Sequence, residues 1–371
     1  MLFIEVRAGG HMKITSVKCL ILDNNFPYVF VETDEGITGI GECFRRQPII
    51  TKTLIDEILA PAIIGKNPTD TNMRFEDMTV AGNALWEMGG AVWIAIAALD
   101  IALWDIKGKS LGVPIYELLG GKVREKMPVY ASSMKRGMTP KEEAQRAYSF
   151  IQDGYRGYKL HSAIPGKIDD PADQTIKTVT EVRKAIGDDM DILVDVNGAY
   201  SRHHSIEIGK QLEQLGVFHF EEPRPHYDLE GLAHVADNLD IPIASGENIY
   251  TPYEYKDLIT KGKVDIIQPD IVKSPGFTTL IKIGSIAEAY EIPITCHNTQ
   301  PILSTVAHAH FVAATQIATY EQEYNIEHIS IRDDYPILKE PLNIKNGFME
   351  IPNKPGLGVE LDMKMVEKLS S

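Results

Sequence analysis

The chain has 371 residues, 44% of them hydrophobic and 24% charged, and a formal net charge of -15. A length of this order allows about two domains with a sizeable core, and the acidity argues against nucleic acid or an anionic membrane as partner, because both reward a surplus of Lys and Arg. An anionic substrate would have to be met by local cations or by a metal. Cys19, Cys43 and Cys296 are too few and too scattered for a zinc module or a disulfide framework, which points to a reducing, cytoplasmic setting.

Residues 1–11 contain no apolar signal-peptide core and run through Gly9, Gly10 and His11 into a second methionine, so they read as a vector-derived tail. From Met12 the pattern alternates through KITSVKCLIL and YVFVETDEGITGIGEC, with Asp34, Glu35 and Gly36 as a hairpin turn. Helical periods follow in TKTLIDEILAPAIIG and AVWIAIAALDIALWDIKGK. The apolar run Ala91 to Leu99 is interrupted by Asp100 and Asp105. That is far short of the ~20 residues of a membrane span, and it predicts a buried helix ending at Gly108. Residues 12–126 thus form an α+β capping domain. The strand-and-turn sequence GFMEIPNKPGLGVELD is expected to complete it through residues 345–371.

From Met127 strands and helices alternate: PVYASS, a helix over 140–153, YKLH, a helix over 172–186, ILVDVN, a helix over 203–215, and onward to ATYEQE. Eight strand candidates between 127 and 344 predict a parallel sheet. Asp195, Glu221, Glu247, Asp270, His297 and Glu321 close successive apolar runs at intervals of about 25 residues, roughly one strand and one return helix. One functional group per strand end favours a closed barrel, whose mouth gathers all the strand ends. An open sheet would concentrate its site at one switch point.

Asp195, Glu221 and Glu247 end three consecutive strands. Three carboxylates in one mouth repel one another unless a cation joins them, and oxygen-only ligands favour a hard divalent ion, Mg2+ first among them. Helix capping is the plain alternative for any single one, but three in register at the barrel face where active sites lie weigh against it. Glu222 falls on the opposite side of the strand by period-2 geometry, which leaves Glu221 as the ligand and Glu222 as a support. Lys159 and His161, two apart, both face the barrel interior, and the ammonium favours a neutral imidazole that can serve as base. A snorkelling lysine beside a satisfied core histidine is the bland alternative. Asp270 and His297 lie one repeat apart, and a carboxylate on one ring nitrogen fixes the tautomer and raises the basicity of the other. His219 shares the phase of Glu221 one layer lower and reads as packing. His203, His204, His308 and His310 fall in helical stretches and read as surface or packing positions.

A carboxylate triad on three successive strands, between a Lys-x-His strand and an Asp plus His pair, closely resembles the mandelate racemase subgroup of the enolase superfamily. The resemblance spans Met12 to Ser371 and includes ALDIALWDIKGKSLGVPIYELLGG, VDVNGAY, FEEP, SGEN, QPDIVKSPG, TCHN and PGLGVELD. It implies a modified TIM barrel, (β/α)7β, with an α+β capping domain. It also implies Mg2+ held by Asp195, Glu221 and Glu247, a dyad of Asp270 and His297, and Glu321 bonded on the side of the substrate carboxylate. Asn197, facing inward with Asp195, is expected to support metal or substrate, and so are Lys273 in QPDIVKSPG and Arg45 in the cap. The chain departs from many relatives at the second barrel strand, with Lys-x-His where they carry Lys-x-Lys; His161 can fill the role of base there.

The step shared by that family is removal of the proton α to a carboxylate. With the substrate carboxylate assigned to Mg2+, Lys159 and Glu321, His161 and His297 stand on opposite faces of the α-carbon. A cap loop with Arg45 and Arg46 suits a polyhydroxylated acid, so a sugar-acid dehydratase is expected. Racemisation, epimerisation or cycloisomerisation through the same enediolate is the alternative. A non-catalytic binding relative would carry a broken acid/base set, and a phosphate-binding barrel would carry a glycine-rich loop late in the barrel; HNTQPILST has no glycine. A symmetric homo-oligomer is implied by the resemblance. The loops around Asn24 to Pro27 and Cys43 to Pro48 are expected to close over the barrel mouth.

Overall fold

The computed structural model describes residues 11–83 and 90–370; apart from His11, the segment read as a tail lies outside them. The cap opens with an antiparallel meander of β1 (Ile14–Leu22), β2 (Phe26–Thr33) and β3 (Thr38–Glu42). Pairing runs from Ile14↔Thr33 to Leu22↔Phe26 and from Tyr28↔Glu42 to Glu32↔Thr38. Gly36, at φ 77°, turns the second hairpin where it was expected. Alternation along the strands sends Cys19, Val29 and Val31 into one apolar cluster, which the helix Gly90–Leu111 covers. This helix is apolar on nearly every side because it lies between the sheet and the barrel. Gly39 and Gly41 permit the close approach: a Cβ at these positions would come within 2.1 and 2.0 Å of the Ala102 and Ala98 carbonyl oxygens.

The two acidic residues of the helix are buried and bonded. Asp100 accepts from the Thr278 N–H at 3.0 Å and its hydroxyl at 2.6 Å, joining cap to barrel. Asp105 accepts from the Ile40 N–H (3.0 Å), the Leu357 N–H (2.8 Å) and the Lys109 ammonium (2.6 Å). Gly108 does not end the helix, which continues to Leu111 and is followed by Gly112 at φ 72°. It serves a close contact instead, since a Cβ there would lie 2.7 Å from the Gly356 Cα.

In the barrel, β4 (Lys126–Ser132), β5 (Gly157–His161), β6 (Asp191–Asp195), β7 (His219–Glu221), β8 (Ile243–Ser245) and β9 (Ile266–Ile267) pair in parallel in chain order. A bridge from Ile267 to Ile294 adds a seventh stave. β10 (Gln322–Asn325) then returns to β4, from Gln322↔Val129 to Asn325↔Ser132. Helices Pro140–Gln152, Thr175–Ile186, Arg202–Gln214, Leu229–Ala236, Pro252–Thr260, Gly276–Ala289 and Leu303–Ala314 follow the first seven staves in turn. The architecture is therefore a (β/α)7β barrel with an α+β cap. The seam between the seventh stave and β10 is made partly by a side chain: the Gln322 amide accepts from the Cys296 N–H at 2.7 Å and donates to the Ile294 carbonyl at 3.2 Å.

After the barrel, β11 (Ile344–Lys345) and β12 (Phe348–Glu350) form a hairpin that pairs antiparallel with β4 at Lys126 to Pro128. The chain then reaches the cap: the Ile115 N–H bonds the Gly356 carbonyl at 3.0 Å, the Asp23 N–H bonds the Leu369 carbonyl at 2.9 Å, and Leu22 bridges Ser370. His310, on the seventh barrel helix, accepts from the Tyr116 N–H (3.4 Å) and donates to the Leu357 carbonyl (3.0 Å), pinning barrel, cap and carboxy-terminal segment together. No described helix is long and apolar enough to cross a membrane.

Candidate active site

Strand register sets His161 beside Asp195 and Asp195 beside Glu221, and Glu247 enters the same mouth two residues after β8. One oxygen from each of Asp195, Glu221 and Glu247 lies within 4.8 Å of the others, and all three residues are buried; among the described residues this is the one group of three such side chains. Lys159 Nζ lies 2.9 and 3.0 Å from the two Glu221 oxygens and 2.7 Å from Glu323 Oε1. His161 Nε2 lies 2.9 Å from Asp195 Oδ2, and His297 Nε2 2.9 Å from Glu247 Oε2. Burial would lower the pKa of Lys159, but Glu221 and Glu323 lift it well above its ordinary value, so Lys159 is a fixed cation. Burial and the Glu221 charge push Asp195 up, against His161 and Lys159.

Glu222 does not lie behind the strand. At φ 43° its backbone leaves strand geometry, and its two carboxylate oxygens each come 3.2 Å from Asn248 Nδ2, which also bonds Glu247 at 2.9 Å. Burial, followed by the charges of Glu247, Asp195 and Glu221, pushes the Glu222 carboxyl well above its ordinary range. A mouth that drives one of its own carboxyls toward the neutral form is short of positive charge, and a divalent cation would supply it. An all-carboxylate donor set with no thiolate fits a hard ion such as Mg2+.

Two imidazoles line one cavity of about 540 Å3 above this floor. His161 Nδ1 lies 2.6 Å from the Ser133 carbonyl oxygen. That oxygen can only accept, so Nδ1 carries the hydrogen and the neutral ring keeps its lone pair on Nε2. His297 Nδ1 lies 2.8 Å from Asp270 Oδ2. Burial opposes protonation of His297, yet Glu247, Glu323 and Asp270 outweigh both burial and Lys273 and raise its pKa to about 10.

Residues 11–120 match the mandelate racemase / muconate lactonizing enzyme N-terminal domain, and residues 141–365 match the enolase C-terminal domain-like family. The chain belongs to the enolase superfamily. Among its relatives, D-galactonate dehydratase from Xanthomonas oryzae pv. oryzae is 34% identical over 96% of this chain and 94% of its own length. D-xylonate dehydratase from Haloferax volcanii is 32% identical over 96% of this chain and 88% of its own. Among solved structures, the 3,6-anhydro-D-galactonate cycloisomerase from Zobellia galactanivorans aligns with a TM-score of 0.87 at 29% identity, covering 97% of this chain and 99% of that one.

In this enolase-superfamily barrel, Glu321 is the expected site residue that lies elsewhere. It precedes β10 and lines a separate hollow with Arg156, Asp191, Tyr130 and Thr295, next to Gly157 at the start of β5. Glu323, two residues on and in the same phase, reaches the mouth. Its Oε1 is 2.7 Å from Lys159 Nζ and 2.6 Å from Ser132 Oγ, and its Oε2 accepts from the Asn298 N–H at 2.7 Å. The layer argument that sets His219 below Glu221 is the signal that separates the two. His219 itself is buried, with Nε2 3.5 Å from Glu221 Oε2.

Asn197 donates to Asp195 Oδ2 at 2.9 Å and accepts from Arg136. Lys273 is buried, 3.8 Å from Glu247 Oε1 and 4.7 Å above the Phe44 ring. Arg45 Nη1 donates to the Thr299 carbonyl (2.7 Å) and to Gln300 Oε1 (2.8 Å). Of the two loops expected over the mouth, the one after Cys43 borders the cavity through Phe44, Arg45, Arg46 and Gln47. The other is not among the residues that line the cavity, and Asp23 just before it is bonded to the Ser330 hydroxyl and the Leu369 carbonyl. Sequence reasoning missed Ser133, Asn248 and Arg136; Arg136 sits in a loop that no apolar run marks.

Proposed function

We propose that the protein is a divalent-metal-dependent sugar-acid dehydratase that removes the proton from C2 and the hydroxyl from C3 of an aldonate or aldarate, giving a 2-keto-3-deoxy acid. The observation that carries this reading is the pair of imidazoles lining one cavity and backed unequally, His161 by the neutral Ser133 carbonyl and His297 by the Asp270 carboxylate. A carboxylate behind an imidazole stabilises the protonated ring more than a carbonyl does. His297 is therefore the ring with a proton to give and His161 the ring that takes one.

His161 Nε2 takes the C2 proton and the C–H electron pair passes onto the substrate carboxylate as an enediolate, from which it returns to form the C2–C3 double bond as the C3 hydroxyl departs. His297 Nε2 delivers its proton to the C3 hydroxyl, which leaves as water, and the enol left behind tautomerises to the ketone. Lys159, held between Glu221 and Glu323, fixes the orientation of both carboxylates. A Mg2+ ion held by Asp195, Glu221 and Glu247 would supply positive charge to the substrate carboxylate as negative charge builds on it. The similarity to galactonate and xylonate dehydratases supports the reading.

The test is a screen of the purified protein with Mg2+ against aldonic and aldaric acids, reading keto-acid product. Chelation should abolish turnover and Mg2+ restore it; full activity in metal-free protein would remove the metal from the reading. Recovery of isomerised or C2-deuterated acid without keto product, from every acid tried in D2O, would replace dehydration by epimerisation or cycloisomerisation. The likeness to a cycloisomerase makes that outcome worth separating.

A further inference from the structure

Four Arg and Lys side chains line the cavity: Arg45 and Arg46 on the cap loop, Arg136 in the loop after β4, and Lys273 after β9. Glu247 is the single carboxylate among the described lining residues, and it belongs to the triad. None of the three guanidiniums is ion-paired with a described carboxylate. Arg45 is held by the Thr299 carbonyl and the Gln300 side chain, Arg136 by the Asn197 side-chain oxygen, and Arg46 lies 6.0 Å from the Phe44 ring centroid. They also act on one another: burial and then the Arg46 charge lower the pKa of Arg45. Burial likewise lowers that of Arg136, with Arg46 adding to it against Asp195 and Glu247.

A protein of net charge -15 repels a dianion at long range, so guanidiniums gathered without carboxylates around one cavity mark the place where an anion is to be received. The carboxylate next to the reacting carbon is assigned to the triad itself, which leaves the three guanidiniums, with Arg136 reaching nearest the triad through Asn197, without an anion of their own. We propose that Arg45, Arg46 and Arg136 form a subsite for a second anionic group at the far end of the substrate. The inference rests on the dehydratase reading for the position of the first carboxylate. A terminal carboxylate, as in an aldarate, and a terminal phosphate, as in a phosphorylated aldonate, share this chemistry.

The experiment is calorimetric binding to the Mg2+-loaded protein of matched acids that differ only at the far end: galactonate against galactarate, xylonate against xylarate, and gluconate against 6-phosphogluconate. In at least one pair the member with the second anionic group should bind about tenfold tighter or better, as a charge-assisted bidentate contact allows. That advantage should shrink as salt is raised. Which pair shows it tells a carboxylate from a phosphate. Arg46→Ala and Arg136→Ala, checked for unchanged thermal unfolding, should bring the ratio within the pair toward one. Equal affinity within every pair, or no binding by any acid with a second anionic group, overturns the subsite. Preferential binding without turnover of any acid instead overturns the dehydratase reading and leaves the subsite standing.

Discussion

His297 is held from behind by Asp270 while its other nitrogen faces the cavity floor, so His297→Asn keeps the size of the side chain and removes only its proton chemistry. Turnover should fall by the ~10²–10⁴ expected for loss of a general acid. Exchange of the C2 proton with D2O should persist in that variant, because His161 takes the proton, and should vanish in His161→Asn; the reverse pattern, read by proton NMR, would exchange the two roles. Glu323 and Glu321 offer a second contrast. Glu323→Gln withdraws one of the two carboxylates that balance the buried Lys159, and a broken buried pair costs about 3 kcal/mol, visible in urea unfolding together with a loss of activity. Glu321→Gln, in its separate hollow, should change turnover by no more than about twofold, as a substitution away from core and site does.

Most of the barrel is legible in the sequence because each stave ends an apolar run and each return helix has its own period. Alternation reports which side of a strand a residue faces but not how high it stands in the barrel, which is why Glu321 and Glu323 could not be told apart by phase alone. The left-handed turn at Glu222 was equally hidden, since positive φ at a non-glycine residue is imposed by tertiary contacts. Gly108 read as a helix end because a close approach to Gly356, far along the chain, leaves the same residue type as a terminator does. The seam at Gln322 has no pattern at all, being a side chain doing what backbone does elsewhere. Gln322→Leu leaves the Cys296 N–H without its bond, and stability should drop by about 2–3 kcal/mol for the orphaned buried groups. His297 follows Cys296 directly, so turnover should fall as well; a variant as stable and active as the parent would show that the backbone alone closes the barrel.

Across the whole molecule, the seventh barrel helix carries two buried histidines, His308 bonded to the Ile271 N–H within the barrel and His310 joining barrel to cap, and burial lowers the pKa of both to about 4. For a base depressed in the fold, the stabilising contribution is complete above about pH 6.5 and is lost as pH falls toward about 4, because the unfolded chain takes up protons that the folded chain refuses. That is on the order of 3 kcal/mol per histidine at full extent. Asp100 and Glu42, raised to about 7 chiefly by burial, work in the opposite sense over the same range. The clean measurement is therefore the difference in urea stability between the parent and His310→Gln at pH 7.5 and pH 5, which should narrow at the lower pH; a gap that stays constant would free His310 of any titrating role. The same return of residues 356–370 to the cap bears on how the protein is made. β4 lacks one neighbour until β10 emerges from the ribosome, and the cap sheet lacks Leu369 and Ser370 until that segment follows. Neither domain can be completed before residues 356–370 are made, so the growing chain carries an open strand edge through most of its synthesis.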